Sequence, residues 1–291
     1  MGATVQTGTW MRPLLRWAGS KRSLLPILRL TVPENFDRYI EPFAGSACLF
    51  FAIKPSSAIL SDFNDELMRT YSLIAKHPRV LARRVASLQI TRDNYYRIRS
   101  IDPCTLDPLE RAARFVFLNR NCFNGVYRTD RLNRFNVPMG SRVGSTPTEQ
   151  EFYRASIALR AAKLSSQDFE LALKEAKSGD FVYLDPPYST SARNSSGEYG
   201  YGAFSAGDLG RLISGIKSAD KRGVNMTLSY AQNDELLNEL CDWSFVQLPV
   251  VRQIGGRGEH RKHVTEILAS NSLDLVSKLG THLRNRKRED D

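Results

Sequence analysis

The residues best suited to chemistry directly follow an apolar run at 181–184, which predicts a buried strand. They are Asp185, Pro186, Pro187 and Tyr188. An aromatic amine is a poor nucleophile because its lone pair is delocalised into the ring, so a catalyst must accept hydrogen bonds from both amino hydrogens. The Asp185 carboxylate and the Pro186 carbonyl, held in a stiff Pro-Pro turn, are two such acceptors. The Tyr188 ring adds a face on which a base taken out of a duplex can stack.

The placement of this string favours a chemical role over a purely structural one. An Asp followed by prolines is also a common way to end a strand and begin a turn. In open α/β sheets, however, ligands bind at the carboxyl ends of the strands, which is where Asp185 falls. We therefore predict that residues 185–188 form a catalytic group.

Two further segments have the composition of a ligand-binding turn. Residues 41–46 (EPFAGS) follow an apolar run and contain small side chains that let a ligand approach the backbone. Asp62, at the end of the next apolar run, is placed to bind ribose hydroxyls. Residues 17–21 (WAGSK) are a weaker signal, because a tryptophan belongs more often to a core than to a site.

Short apolar runs alternate with helical patterns at both ends of the chain. This alternation predicts an α/β fold with a largely parallel, Rossmann-like sheet and helices on both faces. Helices are expected to begin near Ser46 and to span about 208–221. The predicted strands lie at 38–42, 58–62, 181–185, 224–229 and 245–251.

The middle of the chain behaves differently. Apolar residues recur at helical spacing within 67–74 and 109–116 without intervening strands. After residue 118 the helical pattern stops, and residues 119–140 carry Gly125, aromatic residues and an alternation typical of a hairpin. We predict a mostly helical insert from which this segment protrudes.

The charge balance favours a polyanionic partner. The 291 residues carry a formal net charge of +10, and residues 119–142 contain five arginines against one acid. A second basic cluster lies at 252–262. We expect a cytoplasmic protein without membrane contact, because no apolar run approaches the length of a bilayer and no secretory signal is present. The four cysteines form no Cys-x-x-Cys pair, so no metal site is predicted.

These segments, in this order, resemble the Dam-type family, the D12 class of S-adenosylmethionine-dependent DNA adenine-N6 methyltransferases. The similarity extends from about residue 15 to residue 268. It implies a methyltransferase sheet at 1–64 and 150–275, a target-recognition insert at 65–149 with a hairpin at about 119–140, and a C-terminal tail at 276–291. The implied reaction is direct transfer of a methyl group from S-adenosylmethionine to the amino nitrogen of an adenine flipped out of double-stranded DNA.

The resemblance also implies roles for individual residues at matching positions. The cofactor-binding positions are Trp17, Lys21, Phe43, Gly45, Asp62, Asp168, Phe169 and Asp185. The predicted DNA contacts are Asn124, Val126, Arg128 and Pro138 in the hairpin, with Arg120, Arg257 and Lys262 from the basic clusters. The planar guanidinium of Arg128 matches the two major-groove acceptors of guanine, and a phosphate contact is its alternative.

The chain departs from the family pattern in the cofactor turn and in the hairpin. Ala47 stands where the family turn, Phe-x-Gly-x-Gly, has its second glycine. Thr129 and Asp130 follow Arg128 where many relatives carry an asparagine.

Several alternatives remain open from the sequence. Cytosine-N4 methylation uses the same acceptor geometry, although Asp rather than Ser before Pro-Pro-Tyr disfavours it. A DNA-binding regulator that lost catalysis is the rival of another class, and the intact residues 185–188 argue against it. A short palindromic target is expected, with GATC as the lead candidate. A companion restriction endonuclease or a solitary role, and a monomer or a homodimer, are all compatible with the sequence.

Overall fold

A sheet of seven strands forms the centre of the protein. The structure is a computed structural model and describes residues 11–132, 134–141, 144–188, 204–253, 261–272 and 275–279. The strands, numbered along the chain, are β1 (Tyr39–Glu41), β2 (Ala58–Asp62), β3 (Ala162–Ser166), β4 (Phe181–Leu184), β5 (Asn225–Ala231), β6 (Ser244–Gln253) and β7 (Arg261–Ser270). Their order in the sheet is β3-β2-β1-β4-β5-β7-β6. The strands β1 to β5 run parallel, whereas β7 is antiparallel to β5 and β6. The predicted α/β sheet is confirmed, with a hairpin added at one edge.

The sequence pattern finds five of these strands and misses β3 and β7. The residues of β3, AKLSS, are half buried or exposed at the edge of the sheet, so they lack the apolar run that marks a central strand. The strand β7 begins inside a basic cluster, and its pairing with β5 and β6 over long registers is what makes it a strand. Both strands are therefore set by tertiary pairing more than by local pattern.

Helices cover both faces of the sheet. They are α1 (Leu25–Leu28), α2 (Cys48–Ile53), α3 (Asp65–Lys76), α4 (Pro78–Ala86), α5 (Arg92–Ser100), α6 (Pro108–Asn121), α7 (Glu149–Leu159), α8 (Phe169–Glu175), α9 (Ala206–Lys221) and α10 (Asp234–Glu239). Successive strand residues point to opposite faces, so Tyr39 and Phe181 join one hydrophobic cluster while Ile40 and Val182 join the other. No helix in the described part of the chain combines the length and the apolar character needed to cross a membrane.

The predicted helices of the middle segment are confirmed as α3 and α6. Their buried residues, such as Tyr71 and Val116, share one hydrophobic cluster with Phe181 of the sheet. The helix α6 begins with a capping box in which Asp107 and Glu110 satisfy each other's backbone amides. The middle segment is therefore held against one face of the sheet by a common core.

The segment after α6 folds back on itself as an antiparallel loop, which we call the arm (residues 122–139). Isolated bridges join Cys122 to Met139 and Thr129 to Phe135. No continuous ladder forms across the described residues of the arm, and residues 119–121 belong to α6 instead of to the predicted hairpin. The predicted hairpin is therefore realised as a looser loop.

Local hydrogen bonds shape the two ends of the arm. At its base, Asn124 and Gly125 adopt the left-handed conformation with φ of 53° and 67°, which only glycine and a few polar residues tolerate easily. At its tip, Asp130 Oδ1 accepts hydrogen bonds from the amides of Leu132 and Arg134. The chain thus reverses direction without a regular two-residue turn.

The predicted C-terminal tail at 276–291 is described only at its start. Residues 275–279 form a helical turn, and Leu275 and Leu279 are buried in the same cluster as Phe181. Residues 280–291 lie outside the described part of the chain.

Candidate active site

The carboxyl ends of β1 and β4 meet where the strand order reverses, which is the usual ligand-binding position in an open α/β sheet. A cavity of about 510 Å³ opens at this point, a size typical of small-molecule sites. Its wall includes every residue predicted for catalysis or cofactor binding, namely Trp17, Lys21, Phe43, Gly45, Asp62, Asp168, Phe169, Asp185, Pro186, Pro187 and Tyr188. The tertiary structure therefore joins the predicted groups into one site.

The residues after β4 are fixed by contacts with three other segments. Asp185 forms an ion pair with Lys21 of the N-terminal segment. The hydroxyl of Tyr188 donates to Glu266 Oε1 at 3.3 Å. The Tyr188 ring packs edge-on against Tyr230, with the ring centroids 5.3 Å apart. The carboxylate and the aromatic ring of this string are thereby oriented toward the same cavity.

Glu266, on β7, is a residue of this group that the sequence analysis missed. It is 1% exposed. Its Oε1 accepts a hydrogen bond from Ser229 Oγ at 2.7 Å and lies 3.0 Å from Lys21 Nζ. The available signal was an acid in the middle of an apolar run, VTEILA, since a buried carboxylate requires partners.

Lys21 holds a positive charge between these two carboxylates. Burial by itself disfavours the ammonium, but Asp185 and Glu266 outweigh that cost and hold the pKa of Lys21 above its ordinary value. The ammonium also lies 5.5 Å from the centre of the Tyr188 ring. Lys21 is therefore protonated at neutral pH and contacts both functional ends of the string after β4.

The turn after β1 is shaped by the close approach of Trp17 to Gly45. Gly45 has a φ of 44°, and a Cβ at this position would lie 2.7 Å from Cδ1 of the indole, so a side chain cannot be added without displacing Trp17. The Tyr71 hydroxyl donates to the Gly45 carbonyl at 2.7 Å. Ala47 is also left-handed, with a φ of 50°. The chain thus keeps a glycine-like backbone at the family's second glycine position, at a cost of roughly 1–2 kcal/mol.

Asp62 is held at the end of β2 by two backbone amides. Its Oδ2 accepts from the Gly45 amide and its Oδ1 from the Asn64 amide, each at 2.9 Å. Desolvation raises the pKa of Asp62, and the two amide hydrogen bonds oppose that shift. The carboxylate is therefore fixed in position on the cavity wall.

Aromatic rings form another part of the wall. Phe43 stacks on Phe169 with centroids 5.3 Å apart, and Phe204 packs against both rings. Asp168 caps α8 with one carboxylate oxygen and accepts from Arg211 Nη2 at 2.9 Å with the other. Arg211, which the sequence analysis missed, also lies 5.0 Å from the Phe169 ring centre. Asp168 and Phe169 are thus both positioned by the same arginine.

Glu41 is a buried carboxyl group next to the catalytic string. The Tyr39 hydroxyl donates to Glu41 Oε2 at 2.9 Å. Burial raises the pKa of Glu41 well above its ordinary value, the Tyr39 hydrogen bond opposes the shift, and the charge of Asp185 adds to it. Burial and the charge of Asp185 outweigh the hydrogen bond and favour the protonated, neutral form of Glu41.

The chemistry of the wall fits S-adenosylmethionine, which combines a cationic sulfur with a nucleoside. Acidic side chains outnumber basic ones on the wall, in contrast to the formal charge of +10 for the whole chain. Gln167 Nε2, also on the wall, is buried without a hydrogen-bond partner among the described residues, so it is a donor available to a ligand. Asp62 offers acceptors for ribose hydroxyls, and the aromatic rings offer faces for a base.

The arm carries four of the predicted DNA contacts next to the cavity. Asn124 and Pro138 are exposed, whereas Val126 and Arg128 are half buried. Arg128 donates from Nε to Asn136 Oδ1 at 2.9 Å. This contact orients the guanidinium through Nε, and the two terminal nitrogens form a pair of donors that can match the two acceptors of a guanine.

The structure gives different information for the three remaining predicted DNA contacts, Arg120, Arg257 and Lys262. Arg120 donates from Nε and Nη2 to the Ser145 carbonyl and from Nη1 to the Leu14 carbonyl. Because its guanidinium links two backbone segments, Arg120 has a structural role here, and the DNA contact predicted for it stays a prediction. Arg257 lies outside the described residues, and Lys262 lies on β7 where the backbone alone is described.

The chain is similar to known DNA methyltransferases over most of its length. It is 34% identical to the Type II methyltransferase M1.LlaDCHI of Lactococcus lactis subsp. cremoris, covering 90% of this chain and 95% of that protein. It is 30% identical to the Type II methyltransferase M.MjaIII of Methanocaldococcus jannaschii, covering 90% and 99%. It is 28% identical to the DNA adenine methylase of Escherichia coli K12, covering 91% and 97%.

A family model agrees with these similarities and with the geometry of the cavity. The model of the D12 class N6 adenine-specific DNA methyltransferases matches residues 17–253, a range that contains the predicted cofactor wall, the arm and residues 185–188. Enzymes of this family take the methyl group from S-adenosylmethionine, which the acidic and aromatic wall fits. The chain therefore belongs to the D12 class of N6 adenine-specific DNA methyltransferases.

Proposed function

We propose that this enzyme methylates one adenine within a short, specific sequence of double-stranded DNA after taking that adenine out of the helix. The observation that carries the proposal is that the cavity is shared. Residues 185–188, the cofactor wall, and Tyr127 and Thr129 of the arm all line the same cavity. A base extruded beside the arm would therefore enter the space next to Asp185.

The cofactor would be held by the turns that follow β1, β2 and β3. Asp62 would bind the ribose hydroxyls, and Phe43, Asp168 and Phe169 would enclose the adenine of the cofactor. Trp17, Lys21 and Gly45 would complete the wall toward the catalytic string. When bound, S-adenosylmethionine supplies a methyl group on a positively charged sulfur, which makes that methyl electrophilic.

Asp185 and the Pro186 carbonyl polarise the target amine by accepting hydrogen bonds from its two N–H groups. Drawing both hydrogens into hydrogen bonds moves the nitrogen lone pair out of conjugation with the ring, so that it can attack. A carboxylate has about four lone-pair positions, so Asp185 can accept from the amine while Oδ1 contacts Lys21. Methyl transfer leaves the amino nitrogen with a positive charge, and one of its protons is then lost to solvent.

Tyr188 supplies the stacking face for the extruded adenine. Such stacking is worth roughly 1–3 kcal/mol per base, which offsets part of the cost of leaving the helix. Its hydroxyl is anchored on Glu266, so the ring is held in place before a base arrives.

Sequence recognition is assigned to the arm. Arg128 would contact a guanine in the major groove, Val126 and Pro138 would lie against base edges, and Asn124 would contact phosphate or the space left by the flipped base. We propose a short palindromic target with GATC as the first candidate. Residues 65–149 then act as the recognition insert, and residues 1–64 and 150–275 as the catalytic part.

The biological role that we favour is protection of DNA beside a companion restriction endonuclease. The supporting observation is that two of its relatives are named Type II methyltransferases. Cytosine-N4 methylation is disfavoured because the matched family is specific for N6 of adenine. A catalytically silent DNA-binding regulator is disfavoured by the intact contacts of Asp185 and Tyr188 with Lys21 and Glu266.

Modified-base sequencing of plasmid DNA treated with the enzyme and S-adenosylmethionine tests the proposed function. N6-methyladenine at one recurring short site is expected. Cofactor and DNA binding without any methylated base would instead support the silent regulator, and methylcytosine would support the cytosine alternative. Resistance of the treated plasmid to endonucleases that cut the same site tests the protective role.

Asp185→Ala is expected to abolish nearly all turnover, and Asp185→Asn to lower it by roughly 10²-fold or more, because each removes a charged acceptor from the target amine. Single-turnover methylation of plasmid DNA measures the chemical step, and calorimetric titration with S-adenosylmethionine checks that cofactor binding is retained. Unchanged turnover in both variants contradicts the role given to Asp185.

Glu266→Gln is expected to lower kcat by about 10- to 100-fold, because Lys21 and Tyr188 lose the charge that positions them. The pKa of Lys21 is raised by Asp185 and Glu266. Removing one of these charges lowers that pKa, so the loss of activity at alkaline pH should begin at a lower pH than in the unmodified enzyme.

Ser229→Ala is the matched control for this experiment, because it removes the 2.7 Å hydrogen bond to Glu266 and leaves the charge in place. Its alkaline limb should coincide with that of the unmodified enzyme. A Glu266→Gln profile that also coincides would refute the positioning role of the Glu266 charge.

Arg128→Ala is expected to relax the target sequence at one base pair, because a bidentate arginine–guanine contact is worth about 1–3 kcal/mol of discrimination. Modified-base sequencing would then find additional sites that differ at that position. Arg134→Ala is the control within the arm, since Arg134 is paired with Asp130 at the tip. A target sequence that stays the same in Arg128→Ala would leave Arg128 as a phosphate contact.

A further inference from the structure

Tyr127 is an arm residue whose contacts extend to the cofactor turn. Its ring stacks on the indole of Trp17, with centroids 5.7 Å apart and an interplanar angle of 14°. Phe115 of α6 and Phe135 of the arm pack on the same ring at 5.5 and 5.6 Å. Burial raises the pKa of the Tyr127 hydroxyl, so this group stays neutral and the side chain acts through packing.

The Tyr127 side chain is linked to the cofactor turn through Trp17. Its ring stacks on Trp17, which lies so close to Gly45 that a Cβ on Gly45 would be 2.7 Å from the indole. The Gly45 amide in turn donates to Asp62, which also accepts from the Asn64 amide. Asn64 and Tyr127 line the same cavity.

These contacts connect Tyr127, Trp17, Gly45 and Asp62, which all line the cofactor site. A ligand that packs on Trp17 therefore acts on a group that directly supports Tyr127. Arg16, the residue before Trp17, packs on Gly125 at the base of the arm. A Cβ on Gly125 would lie 2.5 Å from the Arg16 Cβ. The N-terminal segment therefore contacts the arm at two points.

Tyr127 also sits directly between two proposed DNA contacts, Val126 and Arg128. Two isolated bridges hold the described part of the arm, and beside one of them the Asn136 amide donates to the Arg128 carbonyl. Packing on the Tyr127 ring adds to these bonds in setting where its neighbours lie. A shift of the Tyr127 ring would be passed to Arg128 through a single peptide unit.

We propose that Tyr127 is a positioning residue that couples cofactor binding to DNA binding. This inference rests on the proposed function, because it takes the arm as the DNA-recognition element. When the cofactor binds at the turn after β1, it favours the arrangement of Trp17 and Tyr127 in which Arg128 can contact its guanine. By thermodynamic linkage, the target DNA then raises the affinity for the cofactor by the same factor.

The test measures the factor by which DNA raises the affinity for the cofactor. S-adenosylhomocysteine, which binds without reacting, is titrated calorimetrically with and without a duplex that carries the site found by plasmid sequencing. For the unmodified enzyme we expect the duplex to tighten binding by about 5- to 150-fold. In Tyr127→Leu the factor should fall to about twofold or less, because the stack on Trp17 is lost. Tyr127→Phe keeps the stack and should retain most of the factor.

Phe135→Leu is the matched control. Phe135 packs on Tyr127 within the arm but forms no ring contact with Trp17 among the described residues. This variant should weaken DNA binding with and without S-adenosylhomocysteine to the same degree, so the factor should stay close to that of the unmodified enzyme. Binding of S-adenosylhomocysteine alone by Tyr127→Leu confirms that the variant is folded.

The outcomes separate the two proposals. A factor that is unchanged in Tyr127→Leu, or a factor near one in an unmodified enzyme that binds and methylates its duplex, overturns the coupling alone. An equal loss in Phe135→Leu also overturns it, because arm packing in general would then be the cause. An unmodified enzyme that binds no duplex overturns the proposed function and the coupling together.

Discussion

The buried charge group of Lys21, Asp185 and Glu266 is the interaction on which the active site depends. It joins the N-terminal segment, the loop after β4 and the antiparallel strand β7, three segments that are far apart in the chain. A single buried charge without partners is strongly destabilising, so each of these residues requires the others. The group thereby imposes one arrangement on the carboxylate and the ring that face the cavity.

The enzyme has to bind two ligands of opposite charge, and it separates the charges that attract them. Acidic side chains predominate on the wall of the cavity, whereas the chain as a whole is strongly basic. A cationic cofactor is favoured inside the cavity, and a polyanion is favoured at the surface. Arg128 is half buried on the arm, and its neighbours Tyr127 and Thr129 line the cavity.

The loose construction of the arm fits its proposed task. A continuous ladder would fix its backbone independently of the rest of the protein, whereas isolated bridges leave its position to side-chain packing. Arg120 lies at the end of α6, just before the arm, and is tied to the N-terminal segment: it donates to the Leu14 carbonyl, and its own carbonyl accepts from Arg16. The same segment supplies Trp17 and Lys21, so the cofactor wall and the support of the arm come from one short stretch of chain.

The sequence by itself determined the central elements and predicted the groups that we propose for the chemistry. Strands such as β4 are buried on both faces and so are apolar throughout, and Asp185 was predicted from its place at the end of β4 and from the Pro-Pro-Tyr that follows it. The sequence did not determine β3 or β7, the weak pairing in the arm, or the structural use of Arg120. The contacts made by Glu266, Arg211 and Tyr127 were also set only by the tertiary structure. Each acts through contacts with residues distant in the chain, and local periodicity records how a residue is buried but not which distant charge or ring it meets.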